Sequence, residues 1–290
     1  MITIPESAIT ITGMGDRNPG ISDHLRPESV ITMLRNTQLV VVGGWAHRLH
    51  RFHPRANPPG HLPLRTRDTD LAFSPDEALA GNVRAALTDA GFTQELFGDD
   101  APPATHYRLG EDDAGFYAEF LTPLHGSGLK RDGKPDATMS KAGITAQKMR
   151  HLELLLVSPW SVRVGPEREI PIAGDVELFV PNPTSFIVQK LLIHSDRPPH
   201  KKAQDILYIH DTLELFGGSL GELRRLWVEE VRPRMAAKTA RRVETIAQEL
   251  FAEVTDTSRE AARIPQDRRL APENVQRACE YGLGEILGTA

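Results

Sequence analysis

Two aspartates, Asp68 and Asp70, stand one residue apart in the segment RDTDLAF, which alternates polar and apolar residues as a β-strand does. Because successive side chains of a strand point to opposite faces, both carboxylates would lie on one face, with Thr69 and Leu71 on the other. Two ionised carboxylates this close repel each other, and a divalent cation between them converts that repulsion into binding. The pair therefore predicts a site for Mg²⁺ or Mn²⁺.

Glu119 offers a third carboxylate in the strand-like segment FYAEFLT, and it would join the pair if its strand lies beside theirs. Three acids on adjacent strands can hold two Mg²⁺ ions, one activating an acceptor hydroxyl and the other neutralising a triphosphate. That chemistry is nucleotidyl transfer. The alternative is a pair of solvated acids at the end of a strand, so the neighbouring residues have to decide.

A pair of glycines, Gly43 and Gly44, follows the apolar run QLVVV and precedes WAHRLHRF, which can begin a helix. Glycines at such a turn let backbone amides approach phosphate oxygens, and the helix N-terminus adds a favourable partial positive charge. The alternative is an ordinary tight turn. The two patterns together are more specific: a strand, a glycine pair and a helix come first, and a strand with Asp-x-Asp follows. Few folds other than that of a phosphate-handling enzyme require this order.

The elements that must position these residues alternate at first between strand and helix. The Pro- and Gly-rich stretch HPRANPPGHLP predicts a loop, and residues 76–92 predict a helix with Ser74 as N-cap and Gly91 at its end. Strands are predicted within GFYAEFLTP, HLELLLVSP and RVGPEREIPIAGDVELFVP, with an exposed loop at 125–143. From PNPTSF onward the periodicity is helical, with Thr184 or Ser185 as a cap and helices at 202–216, 220–255 and 272–287.

The segments VVGGWAHRL and RTRDTDLAF resemble the signature of the nucleotidyltransferase superfamily that includes DNA polymerase β: a Gly-Gly or Gly-Ser turn followed by an Asp-x-Asp strand. The likeness continues through residue 216 and extends to bacterial nucleotidyltransferase-fold proteins related to the abortive-infection type II toxins. Further segments that carry it are YAEFLTPL, HLELLLVSP, ELFVPNPTSFIVQKLLI and HKKAQDILYIHDTLEL. The resemblance implies an α+β nucleotidyltransferase fold, a mixed β-sheet flanked by helices, with the core at 1–180 and a helical domain at 181–290.

The resemblance also implies roles for individual residues. The acid pair of those relatives binds metal, which implies that role for Asp68 and Asp70, with Glu119 as the acid of the later strand. Their helical lysine and their basic-then-Asp motif bind the nucleotide. The corresponding residues here are Lys190, Lys201, Lys202 and Asp205.

Ordinary structural roles are the alternatives for these basic residues. Lys190 could lie on the solvated face of a helix whose other side is core. Lys201 and Asp205 could form an i,i+4 ion pair. Arg65, beside the acid pair, is expected to contact a phosphate or the acceptor, and its alternative role is to compensate the carboxylates at the strand edge.

The interval between the glycine pair and the acid pair, residues 45–67, is longer than the superfamily's usual spacing because of its Pro-rich insert. The interval also contains four histidines. We expect them to be exposed loop and helix-surface residues rather than metal ligands, because no cysteine accompanies them. They are His47, His50, His53 and His61.

The composition excludes several other classes of protein. The chain has 290 residues, 40% apolar and 25% charged, and no stretch approaches the roughly 18 apolar residues of a membrane span, so we expect no membrane partner. Its N-terminus has no secretory pattern, which predicts a cytoplasmic location. The formal charge of -5 argues against a surface that coats nucleic acid, and the single Cys279 excludes an internal disulfide.

Together these features predict a Mg²⁺-dependent enzyme that moves a nucleoside monophosphate from an NTP such as ATP to a hydroxyl acceptor. The acceptor would be RNA, for example tRNA, or a protein. A toxin–antitoxin role, with an antitoxin as partner, would follow from the resemblance. The alternative is a catalytically inactive nucleotidyltransferase-like module that binds a nucleotide or a partner protein.

Overall fold

A computed structural model describes residues 39–64, 66, 68–79, 81–110, 116–168 and 174–288. Among these, two compact units can be separated. The first contains the described residues within 39–45, 66–150 and 161–180, and the second those within 46–65, 151–160 and 181–288. The prediction of a domain boundary between residues 180 and 181 stays a prediction.

The described part of the first unit is built on a mixed sheet. Its nine strands are β1 (Val40–Val42), β2 (Asp68–Ala72), β3 (Thr93–Phe97), β4 (Ala104–Leu109), β5 (Phe116–Pro123), β6 (Thr138–Lys141), β7 (Ile144–Met149), β8 (Trp160–Val164) and β9 (Val176–Val180). Strands neighbour one another in the order β3-β4-β5-β2-β1-β9-β8, and β7 pairs with both β5 and β6. Pairs β2–β5, β5–β7 and β1–β9 are parallel, whereas β1–β2, β3–β4, β4–β5 and β6–β7 are antiparallel. The chain therefore has the α+β class that its sequence predicts.

Alternation along the central strands sorts the side chains between the two faces of this sheet. One face carries fully buried apolar residues, among them Leu71 of β2, Phe120 of β5 and Tyr107 of β4. The Tyr107 and Phe120 rings meet edge to face, with centroids 5.9 Å apart. Burial of each such side chain contributes roughly 1.5–3 kcal/mol, so this face holds the strands in register. The other face carries the polar residues Asp68, Asp70 and Glu119 together with the buried Ala72 and Leu121.

The helix after β2 begins later than predicted. It is α2 (Val83–Asp89), and its N-cap is Asn82, whose side-chain oxygen accepts from the Ala85 N–H at 3.0 Å. Ser74 is not a cap, because its carbonyl closes a turn by accepting from the Glu77 N–H. Gly91 follows the helix with φ of +90°, as expected of a residue that ends one.

Several strand predictions were incomplete. The pair β3–β4 was not predicted, and β6 lies within the segment predicted as an exposed loop. The apolar run HLELLLVSP was predicted as a strand but forms a 3-10 helix at Leu152–Leu156. A short apolar run has no periodicity that separates the two structures, so its type cannot be read from the letters.

Helices dominate the described part of the second unit. The first helix, α1 (Gly43–His50), starts in the first unit and continues into the second, and the others are α3 (Pro183–Ile193), α4 (Pro199–Leu215), α5 (Leu220–Leu226), α6 (Ala237–Phe251), α7 (Asp256–Arg263) and α8 (Pro272–Leu287). The cap of α3 is Asn182 rather than Thr184 or Ser185, since its side chain accepts from the Ser185 N–H at 2.8 Å. None of the helices in the described residues is long and apolar enough to cross a bilayer.

The segment predicted to be helical at 220–255 is mostly helical but is not one continuous helix. After α5 the chain makes a π-turn at Trp227–Val231 and a 3-10 turn at Arg232–Arg234 before α6 begins. Pro233 explains the break, because proline lacks the N–H that a continuous helix needs and its ring collides with the preceding turn.

Candidate active site

The three predicted acids lie on neighbouring strands of the first unit. Asp70 of β2 is the register partner of Glu119 of β5, and Asp68 is the partner of Tyr117. Thr69, between the aspartates, is buried on the opposite face, as the alternation predicts. The sheet thus brings Asp68, Asp70 and Glu119 to one face, and their role as metal ligands stays a prediction.

The glycine turn lies directly against the acid pair. A Cβ atom built on Gly43 would fall 2.1 Å from Oδ2 of Asp70, and Gly43 has φ of +65°. Both facts require glycine, because side chains rarely adopt that φ and none would fit beside the carboxylate. α1 begins at Gly43 itself, so Gly44 is within its first turn. The long insert between the two motifs therefore does not separate them in space.

The surroundings of Glu119 disfavour the ionised form of its carboxyl group. Burial raises the pKa of Glu119 above the usual carboxyl value, and the negative charge of Asp68 raises it further. An additional positive charge at this face would oppose both effects by favouring the ionised carboxylate. The donors are carboxylate oxygens, which suit a hard divalent cation, so the residues present fit the metal that the sequence predicts.

The carboxylates of Asp68, Asp70 and Glu119 do not form a tight cluster. Among the described residues, the one group of three potential ligands whose ligand atoms all lie within 4.8 Å of one another is elsewhere in the chain. Asp68 is exposed and Asp70 half-buried, so both can be reached from solvent.

His106 belongs to the same row of residues but was not predicted as a site residue. It is the register partner of Glu119 across β4–β5, and its Nδ1 lies 3.6 Å from Oε1 of Glu119. Burial lowers the pKa of His106, against the opposing negative charges of Glu95, Asp68 and Asp70. No strand was predicted at 104–109, although the alternation in ATHYRL could have indicated one.

The predicted nucleotide-binding lysine Lys190 is in the second unit, on α3. It is buried, with 5% of its surface exposed, so the alternative of a solvated helix face is wrong. Its Nζ lies 2.8 Å from Oδ1 of Asp205 and within 5.6 Å of the ring centres of Phe186 and Tyr208. Lys190 is thus held in an internal ion pair, and its contact with a phosphate stays a prediction.

Asp205, on α4, pairs with cations other than the nearby Lys201. Besides Lys190, it accepts from the Nε–H of Arg197 at 3.2 Å and is 1% exposed. Lys201 and Lys202 are half-buried in the first turn of α4, where both backbone N–H groups donate to the carbonyl of Pro198. Arg65, the remaining predicted contact, lies outside the described residues.

The tightest group of potential metal ligands among the described residues is His61, Asp211 and Glu214 in the second unit. Arg268 already supplies positive charge there. Its Nη2 donates to both oxygens of Asp211, at 2.5 and 2.6 Å, while Nη1 contacts His61 and lies 3.9 Å from Glu214. A guanidinium nitrogen that donates to both oxygens compensates the charge of the carboxylate without a metal.

Two of the histidines predicted as exposed are instead buried. His47 and His50 lie on α1 with 2% and 0% of their surfaces exposed, and burial lowers their pKa values to about 3 and about 4. The Nε2 of His50 is 2.7 Å from the carbonyl oxygen of Pro181. Both packed rings are part of the core of the second unit. Their sequence spacing gave no sign of it because α1 is too short to show a clear apolar face.

A comparison with known protein families identifies the family to which the chain belongs. A nucleotidyltransferase family model matches residues 31–232, which is more than half of the 290 residues. The chain therefore belongs to this nucleotidyltransferase family, and it is a transferase whose reaction class is the transfer of a nucleoside monophosphate. A comparison with curated proteins found no match.

Proposed function

We propose that this chain transfers a nucleoside monophosphate from an NTP to a hydroxyl acceptor, using Mg²⁺ or Mn²⁺ held by Asp68, Asp70 and Glu119. The observation that carries the proposal is the approach of Gly43 to Asp70. Its φ, and the 2.1 Å that would separate an added Cβ from Oδ2, leave glycine as the residue that fits. A glycine turn at a helix start, placed against a carboxylate that can hold a cation, suits a metal-bound triphosphate.

The order of strands suggests how the substrates would be arranged. Asp70 is paired on one side with Val42, the residue before the glycines, and on the other with Glu119. The triphosphate would lie over the glycine turn, where the first amides of α1 point toward phosphate oxygens. The acceptor hydroxyl would approach from the Glu119 side. Asp70, between them, would serve both.

The proposed cations would neutralise the triphosphate and lower the pKa of the acceptor hydroxyl. The chain's own residues would orient the reaction. The carboxylates would hold the reacting groups on one face of the sheet, and the glycine turn after β1 would keep the triphosphate close to Asp70. Positioning of this kind supplies most of the catalysis in phosphoryl transfer, because the protein has little covalent chemistry to perform.

A labelling experiment tests the proposal. The protein is incubated with each α-³²P-labelled NTP, Mg²⁺ and either tRNA or a cell extract, and labelled macromolecules are separated on a gel. We expect label transfer by the wild type, at least a hundredfold less by Asp70→Ala, and unchanged transfer by Asp76→Ala, which removes an exposed carboxylate after β2. Nucleotide binding without transfer would instead identify a catalytically inactive module.

The acceptor and the biological role belong to the proposal as well. Digestion of the labelled product with ribonuclease or with protease separates an RNA acceptor from a protein acceptor. A toxin role, which the sequence resemblance supports, predicts that induced expression stops growth with wild type but not with Asp70→Ala. Recovery of growth by a co-expressed neighbouring gene product would identify an antitoxin. The cytoplasmic location stays a prediction.

A further inference from the structure

A continuous row of polar side chains crosses three strands at the acid site. Register pairing places Asp70 of β2 beside Glu119 of β5, and Glu119 beside His106 of β4. Register partners point to the same face, and neighbouring strands are about 4.8 Å apart. His106 is therefore one strand beyond the third acid, on the face where the cation is proposed to bind.

The contact between His106 and Glu119 has the spacing of two groups that could share one ion. Nδ1 of His106 lies 3.6 Å from Oε1 of Glu119, beyond the usual 2.7–3.2 Å of a direct N–H···O bond. Two ligand atoms that each bind one metal at about 2.1–2.2 Å lie roughly 3–3.5 Å apart. Only a small side-chain movement would therefore bring Nδ1 and Oε1 to the separation of two ligands of one ion.

A ring stack covers one side of the imidazole. Phe97 of β3 lies parallel to His106, with ring centres 4.5 Å apart and planes inclined by 16°. The Phe97 side is therefore covered by a ring, and the edge with Nδ1 is directed to Glu119.

Among the residues that the structure describes, several acids lie around His106. Glu95 of β3 is its register partner on the other side, and Asp68, Asp70 and Glu119 lie toward the candidate metal site. Arg108, two residues along β4, pairs with Glu95 at 2.6 Å. A partly buried imidazole among carboxylates can offer a nitrogen lone pair to a cation when it is neutral.

We propose that His106 is a nitrogen ligand of the cation held by Glu119, and that it makes this site prefer a divalent transition ion to Mg²⁺. The inference rests on the proposed function, because it requires the acid set to bind a metal. Mg²⁺ prefers oxygen ligands, whereas imidazole binds transition ions well. His106 would thus determine which ion the enzyme uses.

Mn²⁺ alone, without nucleotide, is the probe. Pulsed electron paramagnetic resonance of the Mn²⁺-loaded full chain should show coupling to a directly bound ¹⁴N. The coupling should disappear in His106→Gln and persist in His125→Gln, which changes an exposed histidine in the loop after β5. In His106→Gln the dissociation constant for Mn²⁺ should rise about tenfold or more, while that for Mg²⁺ changes little.

Labelling with ¹⁵N-histidine should change the coupling to that of ¹⁵N, which identifies the bound nitrogen as one of a histidine, and the two variants then show which histidine it is. If Mn²⁺ binds without nitrogen coupling and this binding is lost in Asp70→Ala, the role of His106 is overturned and the proposed function stands. Mn²⁺ binding that survives in Asp70→Ala would contradict the acid site itself. Absence of Mn²⁺ binding to the wild type would overturn both.

Discussion

Replacement of Gly43 by alanine tests whether the glycine turn and the acid pair act as one unit. The substitution adds a single methyl group, but that methyl would fall 2.1 Å from Oδ2 and 3.2 Å from Cγ of Asp70. Carbon and oxygen atoms do not approach so closely without a bond. Either the carboxylate rotates away from the turn or the turn moves away from β2, and both movements change the candidate metal site.

The magnitude has two parts, which a control variant can separate. A non-glycine residue at a left-handed φ costs roughly 1–2 kcal/mol, whatever surrounds it. Gly126 has φ of +70°, and a Cβ added there would meet nothing within 4 Å, so Gly126→Ala carries this backbone cost alone. Each kcal/mol lowers the melting temperature of a larger domain by about 2–4 °C. Gly43→Ala carries the same cost together with the collision.

Melting curves and label transfer are measured for both variants. We expect Gly126→Ala to melt a few degrees lower and keep full activity. Gly43→Ala should lose about a hundredfold or more in transfer rate, because a displacement of about 1 Å at a reacting group can cost that much. Mn²⁺ should also bind it more weakly. Wild-type transfer and Mn²⁺ affinity in a folded Gly43→Ala protein would refute the proposed link between the turn and the metal.

Three further predictions concern buried charges. Glu119→Gln should stabilise the metal-free protein by about 1 kcal/mol at pH 7 and abolish transfer, because it removes a carboxylate whose ionised form is disfavoured by burial and by Asp68. Unfolding in urea measures the change in stability, and a loss of stability would contradict the prediction. Lys190→Met should destabilise by about 3 kcal/mol by leaving its buried acid partner undercompensated, whereas Lys201→Met should change stability by less than about 0.5 kcal/mol. His47 and His50 have folded pKa values of about 3 and about 4, below 6.5, so the unfolded state binds more protons and stability is lost as pH falls below 6.5. Below pH 6.5 the free energy of unfolding should fall by up to about 2.7 kcal/mol for each pH unit, because two histidines contribute, and His47→Leu should roughly halve this slope.

Much of the sheet around the site could be predicted from local patterns. The runs at β1, β2 and β5 carry apolar or alternating residues bounded by turns, and those patterns identify strands directly. Their adjacency could be expected only through the family resemblance, because strand pairing depends on contacts distant in sequence. β3 could not be predicted because it is largely exposed, whereas the partial alternation in β4 was a signal for a strand.

The chemistry of the site was predictable to a similar extent. Asp-x-Asp is a local pattern, so its shared face followed from strand geometry alone. His106 could not be found in that way, because its place beside Glu119 depends on an antiparallel pairing that the letters do not reveal. Lys190 shows the converse: its helix was predicted, but its buried partner Asp205 comes from the next helix, and only packing brings the two together.

Charge balance, rather than proximity, separates the two acidic groups of this protein. The tighter group contains Asp211, whose two oxygens are already held by the guanidinium of Arg268, so a cation there would have to displace an ion pair. In the row on the sheet, Glu119 lies against His106, whose pKa is lowered by burial and which therefore brings no full positive charge at neutral pH. A divalent cation would supply that charge. We therefore propose the looser group, rather than the tighter one, as the metal site, although its atoms lie farther apart.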